Sequence, residues 1–175
     1  IEEFTNRHLT MIVLKPSEVA PLTTYALIEI FEEAGLPPGV LNVVFGDGQT
    51  VGEAIVVHPG IDMVSFTGST AVGKRIMALA ADQVKRVTLE LGGKSPLVLL
   101  PDGDVSIMAT RAAGAISLNS GQACSALTRM VVPQSRLAEV EAAISAAVGD
   151  LVVGDPMDEG TSLGPVVSER QRDRV

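Results

Sequence analysis

At 175 residues the chain has the length of one ordinary domain, enough to bury roughly 70% of the surface that its unfolded form exposes. A net charge of −8 and a pI near 4.7 argue against a nucleic-acid or anionic-membrane surface, since either needs clustered Lys and Arg. A content of 46% hydrophobic and 19% charged residues, with mean hydropathy +0.34, predicts a large aliphatic core or a surface that other parts of an assembly cover.

Ile1 to Thr10 carry no clear period and stay unassigned; the stretch opens acidic and lacks the apolar region of a secretory signal. Met11 to Leu14 reads as a buried strand that ends at Lys15-Pro16. A helix follows from Pro21, with Thr23 or Thr24 as its cap, to Ala34. Its apolar side is Leu27, Ile28, Ile30 and Phe31. Gly35 and the pair Pro37-Pro38 stop it. Leu41 to Phe45 is a second strand closed by Gly46-Asp47-Gly48, and a short helix spans Val51 to Val57. Met63 to Thr67 is a third strand, Ala71 to Ala81 a helix, and Arg86 to Leu91 a fourth strand.

The pattern restarts after Gly92-Gly93 with a strand over Ser95 to Leu100 and an Ala-rich helix from Val105 to about Leu118. Cys124 falls in the irregular segment beyond that helix. Thr128 to Val132 is a strand, Arg136 to Val148 a helix, and Leu151 to Val175 a Gly- and Asp-rich tail. Short strands alternating with helices of about 10 to 13 residues predict an α/β fold with a parallel sheet. The double glycine marks the boundary between a lobe over 11–91 and a second over 92–175.

Two glycine loops come close to nucleotide motifs. Gly46, Gly48 and Gly52 follow a strand and open a helix, but the third glycine stands one place late for a dinucleotide fingerprint. A shift of one residue turns it about 100° around a helix. Gly68 to Arg75 approaches a P-loop, yet Arg75 stands where a magnesium-binding hydroxyl belongs. Both keep the simpler property of a glycine-rich turn at a helix N-terminus, which favours anions.

Cys124 is the only cysteine, so no internal disulfide forms, which fits a reducing, cytoplasmic compartment. With two His distant from it in sequence, a metal site is not expected. No run approaches about 18 apolar residues, so no membrane-spanning helix is predicted. A thiolate attacks carbonyl carbon, and a carboxylate with a raised pKa takes protons from thiol or water. Glu90, between Leu89 and Leu91 at a strand end, is the candidate for such desolvation. Its ordinary alternatives are a solvated strand-end carboxylate or a salt bridge to Lys94 or Arg86. For Lys15 the alternative is a protective strand-edge charge, and for Ser69 and Thr70 plain helix capping.

Four motifs in order resemble the aldehyde dehydrogenase superfamily: Leu14-Lys15-Pro16-Ser17-Glu18, Phe66-Thr67-Gly68-Ser69-Thr70, Glu90-Leu91-Gly92-Gly93-Lys94 and Gly121-Gln122-Ala123-Cys124. The separation of 34 positions between Glu90 and Cys124 is also similar, and the resemblance continues through Gly154-Asp155-Pro156 and Leu163-Gly164-Pro165. It implies a Rossmann-like cofactor lobe followed by the start of a catalytic lobe. Cys124 would attack an aldehyde, giving a thiohemiacetal and then a thioester, and Glu90 would activate the hydrolytic water. NAD, with NADP possible, would be held by Lys15, Ser17, Glu18, Gly46, Gly68, Ser69, Leu91 and Gly92, with Glu18 favouring NAD because a carboxylate repels a 2′-phosphate.

The family's Trp-Asn motif, whose Asn supplies an oxyanion donor, should precede residue 11 and is absent, as is a later Glu-x-Phe motif for the nicotinamide ribose. The chain is therefore expected to be an internal piece with little or no activity alone, its full-length parent being a homo-oligomer, a dimer or tetramer. A coenzyme-A-acylating enzyme and a non-catalytic nucleotide-binding or structural module are the alternatives.

Overall fold

The computed structural model describes residues 11–175; the unassigned stretch 1–10 lies outside the described residues. Parallel strands and helices alternate, as expected for an α/β chain. The chain divides into two compact units, the boundary falling between Glu90 and Leu91.

In the first unit β1 (Ile12–Leu14) leads to α1 (Leu22–Glu33), then β2 (Leu41–Val43). The strands are parallel neighbours, with Ile12 opposite Leu41 and Leu14 opposite Val43, so the connecting helix makes a βαβ unit. Gly35 ends the helix at φ +78°, a left-handed conformation open to glycine without steric cost. The capping differs from expectation. Pro21 is the N-cap and makes no side-chain cap bond, while Thr23 and Thr24 lie inside the helix. Proline serves there because the first helical N–H groups lack intrahelical partners anyway.

A π-turn (Gly48–Gly52) runs into α2 (Glu53–Val57). Next come β3 (Met63–Gly68), α3 (Thr70–Ala81) and β4 (Arg86–Leu91), with β3 and β4 paired. The core lies here: Val56, Val64, Ile76 and Ala80 are buried, and Ile61, Phe66, Leu79 and Val87 pack around them. By contrast α1 buries no residue. Of its expected apolar side only Ile28 is half-buried, and Leu27, Ile30 and Phe31 remain exposed. The three-residue strands beside it offer too little surface to cover a three-turn helix.

In the second unit β5 (Pro96–Val98) pairs in parallel with β6 (Arg129–Val131). Between them run α4 (Val105–Ser117) and a 3₁₀ turn (Leu118–Gly121). Asp104 caps α4 by accepting from the Ile107 N–H at 3.0 Å, the usual role of a short acidic residue at that position. Helix α5 (Leu137–Gly149) packs on α4, and the core comprises Leu99, Val105, Met108 and Val140 with Leu97, Val132, Ala143 and Ile144. The small side chains Ala109, Ala112 and Ala113, all buried, let neighbouring elements approach α4 closely. In the tail Val153 bridges Leu163, and α6 (Glu169–Arg172) is capped by Ser168. Among the described residues the sheet predicted from the alternating pattern is thus present as three two-stranded ladders.

Candidate active site

Lys15 organises the first unit's polar cluster. It follows β1, its side chain is only 16% exposed, and its ammonium donates to Gly46 O at 2.9 Å, Pro16 O at 2.7 Å and Glu18 Oε2 at 3.4 Å. All three N–H groups are therefore committed, the one to Glu18 most loosely. Glu18 is exposed, and a backbone N–H bond, aided by Lys15, holds its carboxyl below the ordinary range against slight desolvation and, less, the charge of Asp47. Ser17 accepts from the Val19 N–H at 3.4 Å, a local turn contact.

Gly46 has φ +148°, and a Cβ there would fall on Val51 Cγ2. Asp47 then caps the π-turn: its carboxylate accepts from the Thr50 N–H at 2.6 Å and the Thr50 hydroxyl at 3.0 Å. Those two bonds, the backbone one first, lower its pKa. The late position of Gly52 has its explanation here. A π-turn closes over one residue more than an α-turn, seen in the bond from Gly52 N–H to Asp47 O at 3.3 Å. The extra residue is absorbed, and a Cβ on Gly52 would sit 3.9 Å from Cδ and Cε of Lys15. Gly52 thus lies against the Lys15 stem instead of being rotated away from it.

Gly68 and Ser69 form the β3–α3 junction. A Cβ at Gly68 would fall on the Phe66 ring, and Ser69 caps α3 through the Val72 N–H at 3.3 Å. Both residues are exposed. Among the described residues no hydrogen bond joins this junction to the Lys15 cluster, so Lys15, Glu18 and Gly46 form one group and Gly68 and Ser69 another.

Glu90 corrects the sequence reading. It is exposed on β4, whereas Val87, Leu89 and Leu91 are half-buried. Successive strand side chains point to opposite faces, so the leucines that flank Glu90 in sequence do not enclose its carboxylate. Neither Lys94 nor Arg86 forms a salt bridge with it among the described residues. Leu91 ends β4 half-buried, and Gly92 is exposed just after it.

Cys124 is a free, exposed thiol on a loop with an unusual approach. Asn119 and Ser120 are left-handed, at φ 51° and 54°, and Gly121 follows at φ 76°. Left-handed conformation costs an ordinary L-residue roughly 1–2 kcal/mol, and Asn less, so Ser120 above all needs something to hold it. Ser120 Oγ donates to Gly164 O at 2.9 Å. Gln122 donates through Nε2 to Asn119 O at 3.0 Å and accepts the Val167 N–H at Oε1, 2.9 Å. Pattern reading missed this clamp because its partners lie 44 and 45 positions away; only Asn119-Ser120-Gly121, all turn formers, hinted at it. Among the described residues no group of three or more His, Cys, Asp and Glu is placed to hold a metal, and no helix is long and apolar enough to cross a membrane.

Residues 10–175 match the model of the aldehyde dehydrogenase family. The chain belongs to this family. It is 48% identical over 163 residues to a 3-succinoylsemialdehyde-pyridine dehydrogenase from a Pseudomonas species, covering 93% of this chain and 34% of that protein. Among solved structures, aldehyde dehydrogenase C of Pseudomonas syringae, in a complex with NAD+ and octanal, superposes with a TM-score of 0.90 at 51% identity. That match covers 94% of this chain and 34% of the other. Betaine aldehyde dehydrogenase of Staphylococcus aureus, in complex with NAD+, gives a TM-score of 0.89 at 38% identity over 94% of this chain and 33% of its own. The chain therefore spans about a third of the length of the relatives it matches.

Proposed function

We propose that this chain carries the nucleophile, the base and most of the cofactor contacts of an NAD(P)-dependent aldehyde dehydrogenase that oxidises an aldehyde to a carboxylic acid. Residues 11–91 act as cofactor lobe and 92–175 as the start of the catalytic lobe. Cys124 Sγ adds to the aldehyde carbon, forming a carbon–sulfur bond and a thiohemiacetal. NAD, when bound, would supply the acceptor for a hydride; with the hydride gone from the thiohemiacetal carbon and the proton from its hydroxyl, Cys124 carries a thioester. Glu90 takes a proton from water, whose oxygen attacks the thioester carbon; the carboxylic acid leaves and the thiolate is restored.

The residues of the first unit suit the cofactor. The loose contact between Lys15 and Glu18 offers an ammonium donor and a carboxylate acceptor side by side, the pair that vicinal ribose hydroxyls satisfy. Gly46, against which Val51 packs where a side chain would stand, borders the adenine. Glu18 disfavours a 2′-phosphate, and Ser69 at the start of α3 suits a pyrophosphate oxygen. Ser17 and Gly68 shape the two turns, and Leu91 and Gly92 border the nicotinamide side. As a whole the protein is a cytoplasmic homo-oligomer, and the 175-residue polypeptide alone has little or no activity, since its relatives are about three times as long.

Cys124 carries this reading: it is the sole thiol, exposed, and inside the matched segment. The test is aldehyde-dependent NADH formation by the protein as it occurs, beside its Cys124→Ala variant. Activity that survives the substitution refutes the mechanism. Product analysis with and without coenzyme A separates hydrolysis from acyl transfer.

A further inference from the structure

The left-handed turn before Cys124 and the bonds that hold it have a consequence for the thiol. Helix α4 stops at Ser117. Asn119 and Ser120 would gain by relaxing to right-handed dihedrals, which would extend the helical path and rotate everything after it. Four side-chain bonds oppose this, one of them from Asn119 Nδ2 to Gln122 O at 3.3 Å. Ser120 reaches Gly164 O, and the Gln122 amide spans from Asn119 O to the Val167 N–H. Asn119 O also accepts the Gln122 N–H at 3.1 Å. On the far side of the thiol, Ala126 is buried and donates its N–H to Ala123 O at 3.2 Å. Cys124 is therefore exposed on a short stretch of backbone that is anchored on both sides.

We propose that Gln122 is a positioning residue for the Cys124 thiol: its amide locks the turn 119–121 to the segment 164–167 and so sets the direction in which Sγ meets a carbonyl carbon. The role needs a donor and an acceptor on one side chain of this length. Glutamate keeps the acceptor for Val167 but sets a carboxylate oxygen against Asn119 O. Methionine keeps the length and loses both bonds. Ser120 is the second anchor and acts only through its bond to Gly164. The inference rests on Cys124 being the nucleophile, and it adds that the geometry of the thiol is maintained by residues that never touch the substrate.

The experiment uses the protein as it occurs and compares Gln122→Met, Gln122→Glu, Ser120→Ala and Cys124→Ala. It measures kcat, the KM for NAD+, and the rate at which iodoacetamide alkylates Cys124. Misplacement of a reacting group by about 1 Å costs on the order of 100-fold. Gln122→Met is therefore expected to lower kcat by about 10- to 100-fold and to slow alkylation, with the KM for NAD+ within about 2-fold of the parent. Gln122→Glu should fall between the two, and Ser120→Ala should show a smaller loss of the same kind. A Gln122→Met protein with parental kcat and alkylation rate overturns the inference while leaving the nucleophile in place. So does a loss of kcat that comes with an equal change in the KM for NAD+ and parental alkylation. If Gln122→Met does not fold, Ser120→Ala decides by the same readouts. Activity in Cys124→Ala overturns the underlying mechanism, and the inference with it.

Discussion

The ammonium of Lys15 donates to the carbonyl oxygen of Gly46 at 2.9 Å, joining the end of β1 to the end of its neighbour β2 across 31 positions. A charged donor satisfying a half-buried carbonyl is worth about 1.5–3 kcal/mol. Lys15→Met should therefore destabilise the protein by about that amount and weaken NAD+ binding by about tenfold or more. Urea unfolding reads the first and cofactor titration the second. A variant with unchanged cofactor affinity would show that Lys15 serves only the strand connection.

Gly46 also faces Val51. Gly46→Ala meets two penalties, the φ of +148° and the overlap with Val51 Cγ2, and is expected to cost about 2–4 kcal/mol. Adding Val51→Ala removes the overlap but not the backbone strain. The double variant should therefore recover part of the loss, with a coupling of about 1–2 kcal/mol in a double-mutant cycle. Strict additivity would mean that the two residues do not meet.

How much of this was legible in the sequence depended on how local the physics was. The alternation of strands and helices, the glycine stop at Gly35 and the Ser69 cap rest on residues within a few positions, so local pattern suffices to show them. Gly52 stands one place late for an α-turn, and the π-turn that accommodates it depends on Asp47 accepting bonds from Thr50. The enclosure expected for Glu90 ignored the strand's own alternation. The Gln122 and Ser120 bonds to Val167 and Gly164 are long-range, and no spacing rule signals them. The exposed side of α1 was hidden for a related reason: periodicity shows that a helix has an apolar face, not which element covers it.

Glu53 and Arg75 join α2 to α3 through two bonds, from Arg75 Nε to Oε1 at 2.5 Å and from Nη2 to Oε2 at 2.7 Å. The guanidinium hydrogen bond, with its charge as a lesser contribution, holds the Glu53 carboxyl below the ordinary glutamate range. A depressed folded-state pKa contributes stability that is present above the unfolded-state pKa and is lost as pH falls through the folded-state value. The stability difference between the parent and Glu53→Gln should therefore be constant near neutrality and shrink as pH drops through the glutamate range. High salt should reduce it as well, because the pair is solvent-exposed. Urea midpoints for both proteins at several pH values test this, and a difference that grows on acidification contradicts it.

Glu90 offers the sharpest separation of chemical steps. If it acts as base only on the water that attacks the thioester, Glu90→Gln leaves formation of the acyl-enzyme intact and slows its hydrolysis. General-base catalysis contributes typically 10²- to 10⁴-fold, so steady-state kcat should fall by about that factor. A rapid burst of NADH close to one equivalent per Cys124 should remain. The exposure of Glu90 on β4 makes the substitution mild for the fold, so the unfolding midpoint should move little. Rapid-mixing kinetics with excess aldehyde and NAD+ check the prediction. Loss of the burst together with kcat would instead assign Glu90 to the activation of Cys124, and full activity would remove it from the mechanism.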